Sequence, residues 1–269
     1  MNQVKIPIPK VAFNPPVYTC KHTDKKFELD GNIFKPFWED VPFTDDFLDI
    51  EGSSMPAPRF KTRAKLAWDD DNLYIAGLLY GNEIWANQKD HDSIIFFDND
   101  FEIFIDPDSD TQQYYEFEMN ALNTIWDLLL TKAYRDNGKP VNCMDINGIK
   151  TAVCIKGKLN SLEKDNEYWS CEVVMPLVSL CECTPESKKP VAGDYYRLNF
   201  SRVQWKVYEE NGKITKVKRE DGKTPLPEDN WVWAPTGVIN IHYPELWGFL
   251  YFAKDDESFK IPDDEYVKW

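Results

Sequence analysis

The sequence predicts an all-β fold: a jelly-roll-like antiparallel β-sandwich, immunoglobulin-like in shape, with one or two short helical turns. Three observations predict it. At least nine short runs alternate apolar and polar residues with a period of two, as strands with one buried face do. Clusters of Pro, Gly, Asn and Asp separate these runs. The chain also lacks the helical segments that must join the strands of a parallel sheet. No repeat or linker divides the 269 residues, so residues 1–269 are read as one domain.

Taken in order, residues 1–26 carry Pro7, Pro9, Pro15 and Pro16, which predicts an extended N-terminal arm or an edge strand. Phe27–Phe43 turns at Asp30-Gly31 and then forms a helical turn around Pro36–Glu39, from which Trp38 plugs the core. Gly52–Pro58 is an exposed connection. Thr62–Asp69 and Asn72–Tyr80 form a hairpin about the turn at residues 69–72.

The central stretch, Phe96–Ala121, organises the rest. In its first half Phe97, Phe101, Ile103 and Ile105 share one register, and Asp98, Asp100, Glu102 and Asp106 share the other, interrupted only by Phe104. Pro107–Gln113 supplies a turn. The second half puts Tyr115, Phe117 and Met119 on one face and Glu116, Glu118 and Asn120 on the other. With Asp106 opposite Tyr114, Glu102 lies opposite Glu118 and Asp100 opposite Asn120. Like charges placed directly opposite destabilise a sheet by about a few tenths of a kcal/mol or more. Such a pair calls for a partner: an arginine, a metal ion or a ligand rich in hydroxyl groups. The competing reading is the hydrated outer face common in antiparallel sheets.

Further strands follow at Asn123–Tyr134, with Trp126, Leu128 and Leu130 on one side, at Gly148–Leu159, and at Glu167–Pro176, ended by proline and a helical turn, Leu177–Leu180. In Tyr195–Trp205 the alternation slips at Arg202-Val203, which predicts a bulge. Residues 206–230 are polar and read as a long surface loop. Trp231–Pro235 and His242–Phe252 close the fold.

A net charge of −15 and the absence of a basic cluster argue against nucleic acid and against anionic membranes. No run approaches the ~20 apolar residues of a membrane helix. The opening MNQVKIPIPK has no apolar signal region, which favours a cytoplasmic location; a secreted protein whose leader has been removed is the alternative. Six cysteines with neither C-x-x-C nor zinc spacing read as reduced structural thiols. Neutral ligands and cations remain as partners, and the ten tryptophans include candidates for flat contact surfaces.

Four pieces occur in order: L-D-G followed by Trp38; W-D-x-x-x-L-Y at Trp68–Tyr74; N-D-F-E-I-F-I-D at Asn99–Asp106; and P-E-L-W-G-F-L at Pro244–Leu250. Together they resemble the family-9 carbohydrate-binding modules, in particular the family-9-like branch of stand-alone proteins, over about Phe27–Phe252. The resemblance implies a jelly-roll-like sandwich that binds sugars without catalysis. The best-known members hold the reducing ends of glucan and xylan chains between two tryptophans, with a motif carboxylate on the hydroxyls. Glu102 falls on that carboxylate and Phe96 on the first tryptophan. The second tryptophan aligns near Ile241 and His242, for which Trp126, Trp231, Trp233 and Tyr243 are substitutes. The family also carries structural calcium. Asp106, Asp108 and Asp110 offer hard oxygens at alternate positions, although without the Gly and distal Glu of an EF-hand loop.

The candidate carbohydrate-binding residues are therefore Glu102, Phe96, Glu118, Asn120, Trp126, Arg202, Trp231, Trp233 and His242. Rings would stack on the C–H faces of a pyranose, while carboxylates and amides meet its hydroxyls. Arg197 and Arg202 would neutralise the acidic face. No catalytic residue and no cofactor is required, and calcium is the one ion the resemblance adds. Two other classes compete. Glu102 and Glu118 could form the carboxyl pair of a glycoside hydrolase, about 5 Å apart for retention. Exposed tryptophans beside an acidic face could instead meet another protein.

Overall fold

The computed structural model describes residues 7–254 and 258–267. The strands run β1 (Val17–His22), β2 (Leu48–Asp49), β3 (Thr62–Trp68), β4 (Asn72–Tyr80) and β5 (Asp100–Asp106). They continue with β6 (Tyr114–Asn120), β7 (Ile125–Leu130), β8 (Pro140–Val141), β9 (Lys150–Lys156) and β10 (Tyr168–Pro176). After the single turn α1 (Leu177–Leu180) come β11 (Tyr195–Gln204), β12 (Val207–Glu210), β13 (Lys213–Lys216), β14 (Asp229–Val232) and β15 (Gly248–Ala253). Among the described residues no helix is long and apolar enough to cross a membrane.

Thirteen of these strands form one sheet along the path β8-β7-β6-β5-β11-β15-β1-β3-β4-β10-β9, with β14 and β2 branching from β11. The sheet folds back on itself. Phe101, Ile103, Phe117 and Met119 from β5 and β6 share a core with Leu66, Ile75, Val173 and Met175 from β3, β4 and β10. That is the β-sandwich the alternation predicts. The layers come so close at Gly77 that a Cβ there would lie 2.8 Å from the Cys171 sulfur and 3.2 Å from the Phe101 ring.

Most local expectations hold. The β3–β4 hairpin, the turn at Leu177–Leu180 and the buried Trp38 are all present. The β5–β6 register pairs Glu102 with Glu118 and Asp100 with Asn120. All six cysteines are free thiols.

Three expectations fail. The N-terminal segment is no edge: β1 lies in the interior of the sheet, parallel to both β15 and β3. Its prolines stop short of the ladder, and the Pro16 carbonyl still accepts from the Phe249 N–H at 2.9 Å. Residues 1–6 of the expected arm lie outside the described residues. Residues 206–230 are not a plain loop, because β12 and β13 pair there as a hairpin. Its turn residues Asn211 and Gly212 both take positive φ, +51° and +73°, which that dipeptide tolerates. Nor does β11 bulge at Arg202. Its register with β14 runs unbroken from Ser201 to Gln204, and the polar run reflects buried polar partners.

Candidate functional site

Alternation on β5 and β6 turns the even-numbered side chains away from the shared core, and three of them are glutamates. Glu102 opposes Glu118 across the ladder, and Glu116 follows one step along β6, opposite Phe104. Carboxylate oxygens of Asp100, Glu102 and Glu118 lie within 4.8 Å of one another. These side chains are buried, and the three glutamates sit at the bottom of a cleft of about 380 Å³.

Rings stand beside the acids. Phe96 comes from a 3-10 turn, Ile95–Phe97, immediately before β5. Trp126 is the β7 residue paired with Glu118. Their rings are half-buried, 6.4 Å apart and inclined at 33°. The turn carrying Phe96 is fastened twice: its N–H donates to Glu118 Oε2 at 2.9 Å, and its carbonyl accepts from the Trp205 indole at 2.9 Å. A second group of rings lines the same cleft. Tyr134 meets His242 edge-on at 4.6 Å, and the Tyr114 hydroxyl lies 3.0 Å from His242 Nδ1. Ile241 borders it, as do Glu228 and Asn230 near β14. The two family positions far apart in sequence, Phe96 and Ile241–His242, therefore meet in one cleft.

Withdrawal from water dominates the electrostatics. Burial pushes the Glu102 carboxyl up to about 7 and Glu116 to about 8, and it raises Glu118 and Asp100 well above the carboxylate range. Repulsion from neighbouring carboxylates adds to the shift at Glu116, Glu118 and Asp100. Near neutral pH the group therefore shares protons and offers both O–H donors and carboxylate acceptors. Burial and the nearby Arg135 charge hold His242 down to about 4, so its imidazole is neutral.

The expected arginine neutralisation does not occur. The Arg202 guanidinium donates to Gln204 Oε1, to Thr62 Oγ1 at 2.9 Å and to the Tyr80 carbonyl at 2.9 Å, and it lies over the Phe60 and Trp231 rings. Arg197 pairs with Glu265 and the Pro244 carbonyl. Both are consumed in the interior, and no Lys or Arg lines the cleft among the described residues.

Asn120 also leaves the site. Its amide donates to the Gln88 carbonyl at 2.9 Å and to Asp98 at 3.0 Å, and its oxygen caps the turn at Leu122 and Thr124. Trp231 and Trp233 are core residues, 3% and 5% exposed, and Tyr243 is buried under Arg135. The face that the two tryptophans share points inward, because β14 pairs with β11 over the core. This removes the surface on which an exposed-tryptophan docking site would depend. Of the nine candidates, Phe96, Glu102, Glu118, Trp126 and His242 line one cleft; Asn120, Arg202, Trp231 and Trp233 do not. Glu116, Tyr134 and Glu228 complete it. Glu116 was accessible by alternation with Glu118, whereas Tyr134, expected at the end of a strand over Asn123–Tyr134, lies beyond the end of β7 in a 3-10 turn, Tyr134–Asp136.

In the β5–β6 turn, carboxylate oxygens of Asp106, Asp108 and Asp110 converge within 4.8 Å. Asp106 Oδ2 accepts from the Thr111 N–H at 2.8 Å, while no donor reaches its buried Oδ1 among the described residues. This all-oxygen set suits a calcium ion, and these three aspartates would hold it.

The curled sandwich and its acidic, ring-lined cleft define a β-sandwich binding module. A family model described as "Carbohydrate family 9 binding domain-like" matches residues 29–192, and the chain belongs to that family. No curated protein sequence matches it. Among solved structures, it is similar to a Bacteroides uniformis protein assigned to carbohydrate binding, with 16% identity, 89% of this chain and 100% of that chain covered, and a TM-score of 0.61. It is also similar to a family-9 carbohydrate-binding module from Caldicellulosiruptor kristjanssonii in complex with cellotriose, at 15% identity, covering 93% and 98% of the two chains with a TM-score of 0.55. The glucose complex of a family-9 module from that organism gives 16% identity, 91% and 99% coverage and a TM-score of 0.55.

Proposed function

We propose that this protein binds a neutral carbohydrate in the Glu102 cleft, a mono- or oligosaccharide of the glucan or xylan type, without converting it. One observation carries the reading: three buried glutamates that share protons lie beside the Phe96 and Trp126 rings in one cleft. Sugar hydroxyls both donate and accept, which such a group matches, while apolar C–H faces pack on rings. The cleft, at about 380 Å³, sits at the small end of ligand pockets (~300–1,000 Å³) and suits one or two sugar rings. Family membership and the sugar-bound relatives agree with this class of ligand.

The Glu102–Glu118 spacing alone would also suit a retaining hydrolase. That chemistry needs one carboxyl held protonated and its partner held ionised. Burial raises both carboxyls, so their protonation does not separate the two readings, and what supports binding over hydrolysis is the family of binding domains to which the chain belongs. Calorimetry with glucose, cello-oligosaccharides and xylo-oligosaccharides tests the proposal. Saturable binding at millimolar concentration or tighter, lost in Glu102→Ala, is expected. A wild-type protein that takes up none of these sugars at millimolar concentration overturns it. Release of reducing sugar that disappears in Glu118→Gln would establish the hydrolase instead.

A further inference from the structure

On the opposite side of β7 from Trp126, the strand carries Asp127, which is fully buried. Two loops are drawn to it through backbone bonds. The Asp92 N–H donates to the Ile125 carbonyl at 3.1 Å, and the Ile146 N–H donates to Asp127 Oδ2 at 2.5 Å. Ligand atoms of His91, Asp92, Asp127 and Asp145 consequently lie within 4.8 Å of one another. Asp127 Oδ1 is the telling atom: it is buried, and no hydrogen-bond donor reaches it among the described residues. Leaving such an acceptor unsatisfied is costly, so it needs an explanation.

His91 supplies one. Its Nδ1 lies 3.1 Å from Asp92 Oδ1. Its Nε2 lies 3.6 Å from Asp127 Oδ1, too far for a good hydrogen bond. That separation fits the edge of a metal tetrahedron, which is about 3.4 Å for ligand bonds of ~2.1 Å, with a neutral imidazole and a carboxylate as the two ligands. Asp92 lies where a carboxylate that orients a metal-bound imidazole would stand.

We propose that His91 Nε2, Asp127 Oδ1 and Asp145 hold a divalent transition-metal ion of the zinc type, with Asp92 as the positioning residue. The imidazole sets this site apart from the all-oxygen turn at Asp106, because it selects zinc, cobalt or nickel over calcium and magnesium. An ion here ties the loops before β5 and before β9 to the back of the strand that presents Trp126.

The full chain, stripped with chelator, is titrated with zinc and with cobalt by calorimetry, and the cobalt form is followed by visible absorption. Expected are one ion per chain at this site, a rise in Tm on adding zinc, and the intense visible bands of four-coordinate cobalt. His91 and Asp145 are exposed, so replacing them leaves the fold intact. His91→Ala and Asp145→Asn each abolish the cobalt bands, and Asp92→Asn weakens binding by about tenfold. Asp108→Asn and Asp110→Asn change none of this, and neither calcium nor magnesium competes. Failure of zinc and cobalt to bind overturns the proposal. So does binding that survives His91→Ala with Asp145→Asn, or that is lost in the Asp108 and Asp110 variants.

Discussion

Two buried glutamate sites face away from the common core, one on each layer of the sandwich. On β10, Glu172 accepts from the Asp30 and Gly31 N–H groups at 3.0 and 2.8 Å, from Lys35 Nζ at 2.8 Å and from the Trp38 indole at 2.6 Å. It binds the segment 27–43 to the outside of its layer, where Ile33, Phe37 and Trp38 pack on Tyr74, Leu78 and Val174. On β5 and β6, Glu102, Glu116 and Glu118 crowd one another, and the donors that reach them are fewer: the Phe96 N–H at 2.9 Å from Glu118 and the Ser201 hydroxyl on Glu102. Burial is alike at the two sites, and what differs is whether donors saturate the oxygens. A saturated carboxylate holds the fold together, whereas a group of acids with capacity left over is prepared for something that arrives later.

Removing Glu172 should have the largest effect. Glu172→Ala leaves Lys35 and three further donors without their acceptor, and an expected loss of about 3–5 kcal/mol in urea unfolding follows. Unchanged stability would mean that saturation by donors does not set Glu172 apart from the Glu102 group. Next comes Glu102→Ala, with a loss of sugar affinity worth about 1.5–3 kcal/mol in calorimetry, the range for hydrogen bonds to charged groups. Its unfolding midpoint should stay level or rise, because one of several crowded acids is gone.

The pH dependence sharpens the contrast. Glu102 and Glu116 titrate near 7 and 8 when folded, against 4.5 for an ordinary glutamate. The folded chain therefore binds more protons between about pH 4.5 and pH 8, and their contribution to stability is lost as pH rises through that window. Each group can add up to about 1.4 kcal/mol per pH unit to the slope. Denaturant unfolding from pH 5 to pH 8.5 should show this decline, and Glu116→Gln should flatten it. Phe96→Ala has the smallest expected effect, a weakening of sugar binding by about 0.5–1.5 kcal/mol from the lost ring contact.

The strand pattern and the acidic register were legible because both follow from a period of two and from local turn chemistry. Asp69–Asn72 and Pro107–Gln113 set their hairpins, and with them the Glu102–Glu118 pairing. What escaped depends on distant partners. The place of β1 is fixed by β15, more than 200 residues away, and no local pattern announces a parallel neighbour. Alternation shows that Trp231 and Trp233 share a face but not which face is inward, and packing against Phe60 and Phe200 decides it. The same holds for Arg202, whose partners Thr62 and Tyr80 lie on another hairpin. The β12–β13 hairpin is a different kind of miss, since its Asn211-Gly212 turn signal was in plain view.

The way β1 is inserted has a kinetic consequence. Its neighbours in the sheet are β15, near the far end of the chain, and β3, so the seam between the layers is closed by strands from both extremities. During synthesis the first strand must wait until residue 253 has left the ribosome before its main ladder can form. Contacts of such sequence separation make for slow folding, and meanwhile β3 presents a bare edge that invites strand exchange between chains.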